Sequence, residues 1–247
     1  MLEKGLDILA EAEDARRAAE GKSRVQLNFT DVGACPAKLW NRLKEIPETQ
    51  PLTFDSRMAF LVGHAVEEAV ATALEAAHQD IFTMHREVRM QLPAGGTLIH
   101  GRSDFILEED GILIELKSTG ARNLAMIQKY NDGGRPEHVS QANLYSHAAA
   151  LGLLMVEDRP LTLRGARLVY IGTGAKKGDE ICLEYPVEYE PERAKYDLGT
   201  LALVWTCFTK GVRPTCDCGK RFVNRYGVAQ GPLYCSYGPQ YPCCEGL

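Results

Sequence analysis

The spacing of apolar positions along the chain changes several times, and each change predicts an element. Leu6, Ile8 and Leu9, among alanines and charges, make Leu2–Glu20 an amphipathic helix closed by Gly21. Phe29-Thr30-Asp31 offers an N-cap for a short helix over Val32–Leu43. Beyond Pro47 and Pro51, alanines and leucines at helical spacing predict a long helix over Ser56–His78. The period then drops to two at Val88, Met90 and Leu92, and Pro93–Gly96 makes a turn. Two strands follow within Gly101–Lys117, joined by a tight turn at Glu109-Asp110-Gly111. The second strand, Ile112–Lys117, is mostly apolar, and Ser118-Thr119-Gly120 leaves it. Helical spacing returns over Asn123–Tyr130 and, opened by Pro136, over Pro136–Leu153. Arg167–Gly172 and Glu180–Val187 read as a strand pair around a turn at Gly174–Gly178, and Pro191–Thr209 as a last helix. This order of helices and strands predicts an α/β domain, a mixed central sheet flanked by helices. From about Thr215 the periodicity stops.

Composition changes this picture little. The 247 residues suffice for one large domain or one with a small appendage, and 45% apolar with 25% charged residues is ordinary for a globular chain. No run approaches the ~20 apolar residues of a membrane span, and the early charges of Leu2–Ala19 do not read as a secretory signal. A cytoplasmic, reducing setting is the expectation. A net charge of −5 neither announces nor excludes a nucleic-acid binder, because what matters is a local basic face. Arg122, Lys129 and Arg135, with Lys210, Arg213, Lys220, Arg221 and Arg225, are candidates for one. Any of them alone reads equally as solvated surface.

The candidate chemistry sits at the end of the apolar strand. A side-chain period of two puts Glu115 and Lys117 on one face, and Asp104 on the preceding strand can lie across from them. Two carboxylates and an ammonium in an apolar sheet are costly. A hard divalent cation held by the carboxylates, with the lysine beside its bound water, gives the cluster a purpose. The plainer alternative is a same-face ion pair.

Asp104, followed after ten residues by Glu115-Leu116-Lys117, resembles the D…(D/E)xK core of the PD-(D/E)XK nuclease superfamily. Gly63 followed four residues later by Glu67 resembles the helix motif that supplies a Glu or His ligand in the RecB-like and phage-exonuclease branches. Gln141-Ala-Asn-Leu-Tyr145 resembles the QxxxY motif of the RecB-like branch, its two named residues sharing a helix face at i and i+4. Ser103 stands where the superfamily name has Pro. The resemblance implies a restriction-endonuclease-like core. It also implies Mg²⁺ or Mn²⁺ bound by Asp104, Glu115 and Glu67, with His64 as the alternative ligand, and Lys117 orienting or deprotonating the attacking water. Gln141 and Tyr145 would position phosphate or lysine; Tyr145 reads equally as core. The implied activity is DNA cleavage, exonucleolytic on single strands or ends, of the CRISPR-associated exonuclease type found in phages and mobile elements. Any helicase, integrase or recombinase would be a separate partner, since no GxxxxGK[ST] motif is present. The alternatives are a non-catalytic DNA- or integrase-binding module and a restriction-type endonuclease.

Eight cysteines are many for a reducing compartment. Cys182 and Cys207 read as ordinary buried residues. Cys216, Cys218, Cys235, Cys243 and Cys244 crowd the aperiodic tail, which asks for a metal staple. Local spacing suggests a zinc knuckle. The resemblance instead implies a 4Fe-4S cluster held by Cys35, Cys216, Cys235 and Cys243, with Cys218 and Cys244 as alternates. The expected division is a helical extension over 1–28, the nuclease core over 29–214 and the Cys-rich tail over 215–247.

Overall fold

The computed structural model describes residues 25–46, 54–78 (side chains from 58), 83–131, 133–174 and 181–215. The helix expected over Leu2–Glu20 and the five tail cysteines lie outside them. The chain divides into two units. The larger comprises Leu27–Ala34 and Leu61–Leu203; the smaller takes the described residues of Met1–Gln26, Cys35–Phe60 and Val204–Leu247.

In chain order the elements are β1 (Leu27–Asn28), a 3₁₀ turn (Phe29–Asp31), α1 (Pro36–Leu43), α2 (Phe54–His78), β2 (Met84–Arg86), β3 (Arg89–Ala94), β4 (Thr97–Arg102), β5 (Phe105–Leu107) and β6 (Ile112–Gly120). They continue with α3 (Ala121–Tyr130), α4 (Pro136–Ala150), β7 (Met155–Val156), β8 (Arg159–Pro160), β9 (Gly165–Thr173), β10 (Cys182–Val187) and α5 (Pro191–Thr209). The central sheet has the order β10-β9-β6-β5-β2. Only its β9–β6 pair is parallel; the other three are antiparallel. A second sheet runs β1-β4-β3, and β7 and β8 form a small hairpin. No described helix is long and apolar enough to cross a membrane.

The predicted mixed sheet flanked by helices is present, with local differences. The helix expected from Val32 begins at Pro36, because Asp31 closes a 3₁₀ turn instead, its carboxylate accepting the Asn28 N–H at 2.7 Å. Strand β6 does not end at Lys117. Ser118, Thr119 and Gly120 remain paired with Ile171, Gly172 and Thr173 of β9. The hairpin turn is where the Gly predicts it, with Gly111 at φ 61° and its N–H bonded to the Glu108 carbonyl at 3.0 Å.

The central sheet is covered on both faces. Val66, Val70 and Ala71 of α2 pack on Phe105, Ile114, Leu116, Val169 and Ile171. The other face receives α4, whose residues from Ser140 to Ala148 are all buried. A helix with so many buried polar groups needs partners. Asn143 exchanges two hydrogen bonds with the Glu190 backbone, at 2.9 and 2.8 Å, while Arg193 donates to Ser140 Oγ at 3.0 Å and to the Pro136 carbonyl at 2.9 Å. These bonds fix α4 over the sheet. In the smaller unit, Ala37, Leu39 and Leu43 of α1 are buried, and the Lys44 ammonium lies 4.5 Å from the Phe208 ring centroid.

Candidate active site

Asp104 does not belong to a strand, contrary to the expectation that it lies on one. Strand β4 ends at Arg102 in one sheet and β5 starts at Phe105 in the other, so Ser103-Asp104 is the bend between them. The bend is tied to the parallel passage at Glu87-Val88: Ser103 N–H donates to the Val88 carbonyl and Glu87 N–H to the Asp104 carbonyl, at 3.1 and 3.2 Å. Asp104 Oδ2 then accepts the Leu116 N–H at 2.7 Å. The bend turns the Asp104 carboxylate toward β6.

On β6 the alternation holds. Glu115 and Lys117 point to the α4 face, while Ile114 and Leu116 point to α2. Glu115 is 1% exposed. Its Oε1 accepts from Lys117 Nζ and from Gln141 Nε2, both at 2.5 Å. Gln141 also donates to Tyr145 Oη at 3.1 Å, and Tyr145 donates to the Arg102 carbonyl at 2.7 Å. Gln141 and Tyr145 thus share a helix face as their spacing predicts. Tyr145, however, is 1% exposed, its hydroxyl taken up by Gln141 and the Arg102 carbonyl. Its ring packs against Phe29 with centroids 5.1 Å apart and planes tilted by 51°, and both press against Gly101, where an added Cβ would fall 2.5 Å from the Phe29 ring and 2.9 Å from Tyr145.

Glu67 and His64 lie on α2, where Gly63 allows close approach to Ser118. Glu67 keeps a quarter of its side chain exposed, and its charge is felt by both Asp104 and Glu115. His64 is 65% exposed and stands 3.9 Å from Glu67, at the rim.

The electrostatics follow from burial. Burial and the Glu115 charge hold the Asp104 carboxyl well above the usual carboxylate range, against the pull of Lys117 and the Leu116 N–H, and Glu67 adds to the rise. Burial also raises Glu115, although Lys117 and Gln141 oppose it. Burial works to lower Lys117, but Glu115 and Asp104 outweigh it and its ammonium is held above the usual lysine range. Lys117 therefore stays charged and acts on both carboxylates, yet burial still holds both of them raised.

No three described His, Cys, Asp or Glu side chains form a ready-made metal cage. Asp104 Oδ2 is turned to an amide, and Glu115 Oε1 to Lys117 and Gln141. What is left is Glu115 Oε2, buried and without a hydrogen-bond partner. An orphaned buried oxygen and an all-carboxylate donor set suit a hard divalent cation such as Mg²⁺ or Mn²⁺.

Two residues escaped the sequence reading. Tyr170 of β9 is the register partner of Lys117, and its hydroxyl meets His138 Nδ1 and the Arg135 N–H, each at 2.9 Å. The position of His138, one helical turn before Gln141, was the available signal.

The crystal structure of SSO0001 superposes on the chain with a TM-score of 0.51 and 17% identity, over 85% of this chain and 86% of that one, and shares its fold. The alkaline exonuclease LHK-Exo from Laribacter hongkongensis superposes at 0.49 with 12% identity and, in complex with dAMP, at 0.48 with 14%. Each of these covers 75% of this chain and 91% of the exonuclease. No protein-family model and no curated protein matches the sequence.

Proposed function

We propose that the chain is a divalent-metal-dependent DNA nuclease of the RecB-like PD-(D/E)XK type, an exonuclease on single strands or DNA ends. The observation that supports it best is the buried Glu115, gripped through Oε1 by Lys117 and Gln141, with Oε2 orphaned and the raised Asp104 carboxyl alongside. Asp104, Glu115 and Glu67, with the Leu116 carbonyl, would hold Mg²⁺ or Mn²⁺, and His64 at the rim is the alternative ligand. When bound, the cation polarises the scissile phosphate and offsets charge building on it. Lys117, kept protonated, donates hydrogen bonds to the attacking water and steadies negative charge; it is a poor proton acceptor. Gln141 holds Glu115 in place, and Tyr145 holds Gln141.

The test is cleavage of end-labelled single- and double-stranded DNA, linear and circular, with Mn²⁺ or Mg²⁺. Linear DNA is expected to be degraded from its ends and circles to survive; cutting of circles would make the enzyme an endonuclease. Binding with no cutting in any metal would favour a DNA- or integrase-docking module. Full cleavage by Asp104→Ala or Lys117→Ala would remove the site assignment. A separate helicase or recombinase would supply unwound strands.

The cysteine staple is proposed from the sequence. Cys35, the N-cap of α1, would join Cys216, Cys235 and Cys243, or the alternates Cys218 and Cys244, around a 4Fe-4S cluster. Iron and labile sulfide in anaerobically purified protein support it; stoichiometric zinc supports the knuckle instead.

A further inference from the structure

The row on α4 has a member that the proposed reaction does not use. His138, Gln141 and Tyr145 follow at i, i+3 and i+7 and share a helix face. Gln141 reaches Glu115 of β6, and His138 reaches Tyr170 of the adjacent strand β9. Because Lys117 and Tyr170 are register partners, the imidazole lies beside the lysine, whose charge it feels.

One tautomer makes His138 a donor toward the open side. A backbone N–H can only donate, so Arg135 donates to Tyr170 Oη. With the phenol proton given to His138 Nδ1, 2.9 Å away, the ring proton sits on Nε2. Burial, with the charges of Lys117 and Arg135, depresses the imidazole to about 3, so the ring is neutral throughout the physiological range. His138 is only half-buried, and no described residue accepts a hydrogen bond from Nε2.

We propose that His138 Nε2–H is a substrate contact: a fixed, uncharged donor, oriented by Tyr170, that binds a non-bridging phosphate oxygen of the strand being cut, beside Lys117. The proposal rests on the nuclease reading. A neutral donor suits a phosphodiester next to the lysine because it adds directionality without adding a second charge to be desolvated. Tyr170 acts through the imidazole and is a positioning residue.

The test separates this inference from the reading beneath it. Wild type, His138→Ala, His138→Gln and Tyr170→Phe are compared in Mg²⁺ for binding of the 5′-phosphorylated dinucleotide pTpT, and for kcat and KM on a labelled oligonucleotide between pH 5.5 and 8.5. ¹⁵N spectra of wild type report the His138 tautomer. The expected result is the Nε2–H form at every pH, with pTpT binding at least about tenfold weaker in His138→Ala. His138→Gln, which retains an N–H at a similar reach, should recover part of the loss, and Tyr170→Phe should lose less than His138→Ala. The shape of the pH profile should be the same in all four proteins. A His138→Ala protein that binds pTpT and cuts like wild type overturns the inference while the nuclease reading stands. So does a profile limb that vanishes in His138→Ala, since that marks a titrating acid or base. A wild type that binds pTpT at His138 yet cuts no DNA overturns the nuclease reading and leaves the phosphate contact. Absence of any pTpT binding overturns the contact itself.

Discussion

The two faces of strand β6 differ more than any other neighbouring surfaces described here. Toward α2 stand Ile114 and Leu116, packed with Phe105 and Ala71 in an ordinary apolar layer. Toward α4 stand Glu115 and Lys117, joined to Gln141 and flanked by Tyr170. A strand covered on both faces is expected to be apolar on both. Placing a carboxylate and an ammonium on one of them costs several kcal/mol of desolvation per ion unless geometry and hydrogen bonds offset it. On the α4 face the offset is incomplete: Oε2 of Glu115 has no partner, and burial raises Asp104 despite the pull of Lys117. One layer holds the sheet together; the other keeps a buried carboxylate oxygen unsatisfied among charged neighbours.

Substitutions on the two faces test that contrast. The largest effect is expected from Lys117→Ala, which removes a charged donor and should lower the cleavage rate by about 10²–10³-fold at saturating Mn²⁺. Its apolar counterpart, Phe105→Ala, should cost about 3–5 kcal/mol in urea unfolding while the molecules still folded keep most of their rate. Equal loss of rate per folded molecule in both proteins would erase the distinction between the faces. Next comes Gln141→Ala, which leaves Glu115 Oε1 to Lys117 alone and should cost about 1–3 kcal/mol, visible as a lowered melting temperature. Gly101→Ala pushes a methyl into the Phe29 and Tyr145 rings; overpacking of about 1–3 kcal/mol is expected, with crystallography showing Tyr145 displaced from the Arg102 carbonyl.

The smallest effect is a pH trend. Both Asp104 and Glu115 are raised in the folded protein. Their contribution to stability is therefore complete below the unfolded carboxylate values of about 4 and is lost as pH rises through the raised folded values. A divalent cation competes with those protons, so the melting-temperature gain from Mn²⁺ should grow with pH. In Asp104→Asn that growth should flatten; an unchanged slope would place the cation elsewhere.

Local periodicity made much of this readable in the chain. The alternation in Ile112–Lys117 already separates the two faces, Gly111 marks the turn, and the i, i+4 spacing of Gln141 and Tyr145 puts them together. What escaped depends on long-range partners. Ser118–Gly120 remain a strand only because β9 lies alongside, 53 positions later in register. The short strands β1, β2, β7 and β8 carry too few residues for a period to show. Asp104 was expected within a strand because Gly101–Leu107 looks continuous, whereas the chain there passes from one sheet to the other. His138 and Tyr170 are joined across 32 positions, so neither points to the other in one dimension.

The bond from the Leu116 amide to Asp104 Oδ2 makes one backbone resonance a gauge of the site. An amide proton held at 2.7 Å by a carboxylate shifts when that carboxylate gains a proton or a cation, and shifts again when it is released. Leu116 faces the apolar layer, so its side chain is untouched by substrate. A single peak in an ordinary amide spectrum can therefore record the charge of Asp104 through a titration, with no label or substitution on the α4 face.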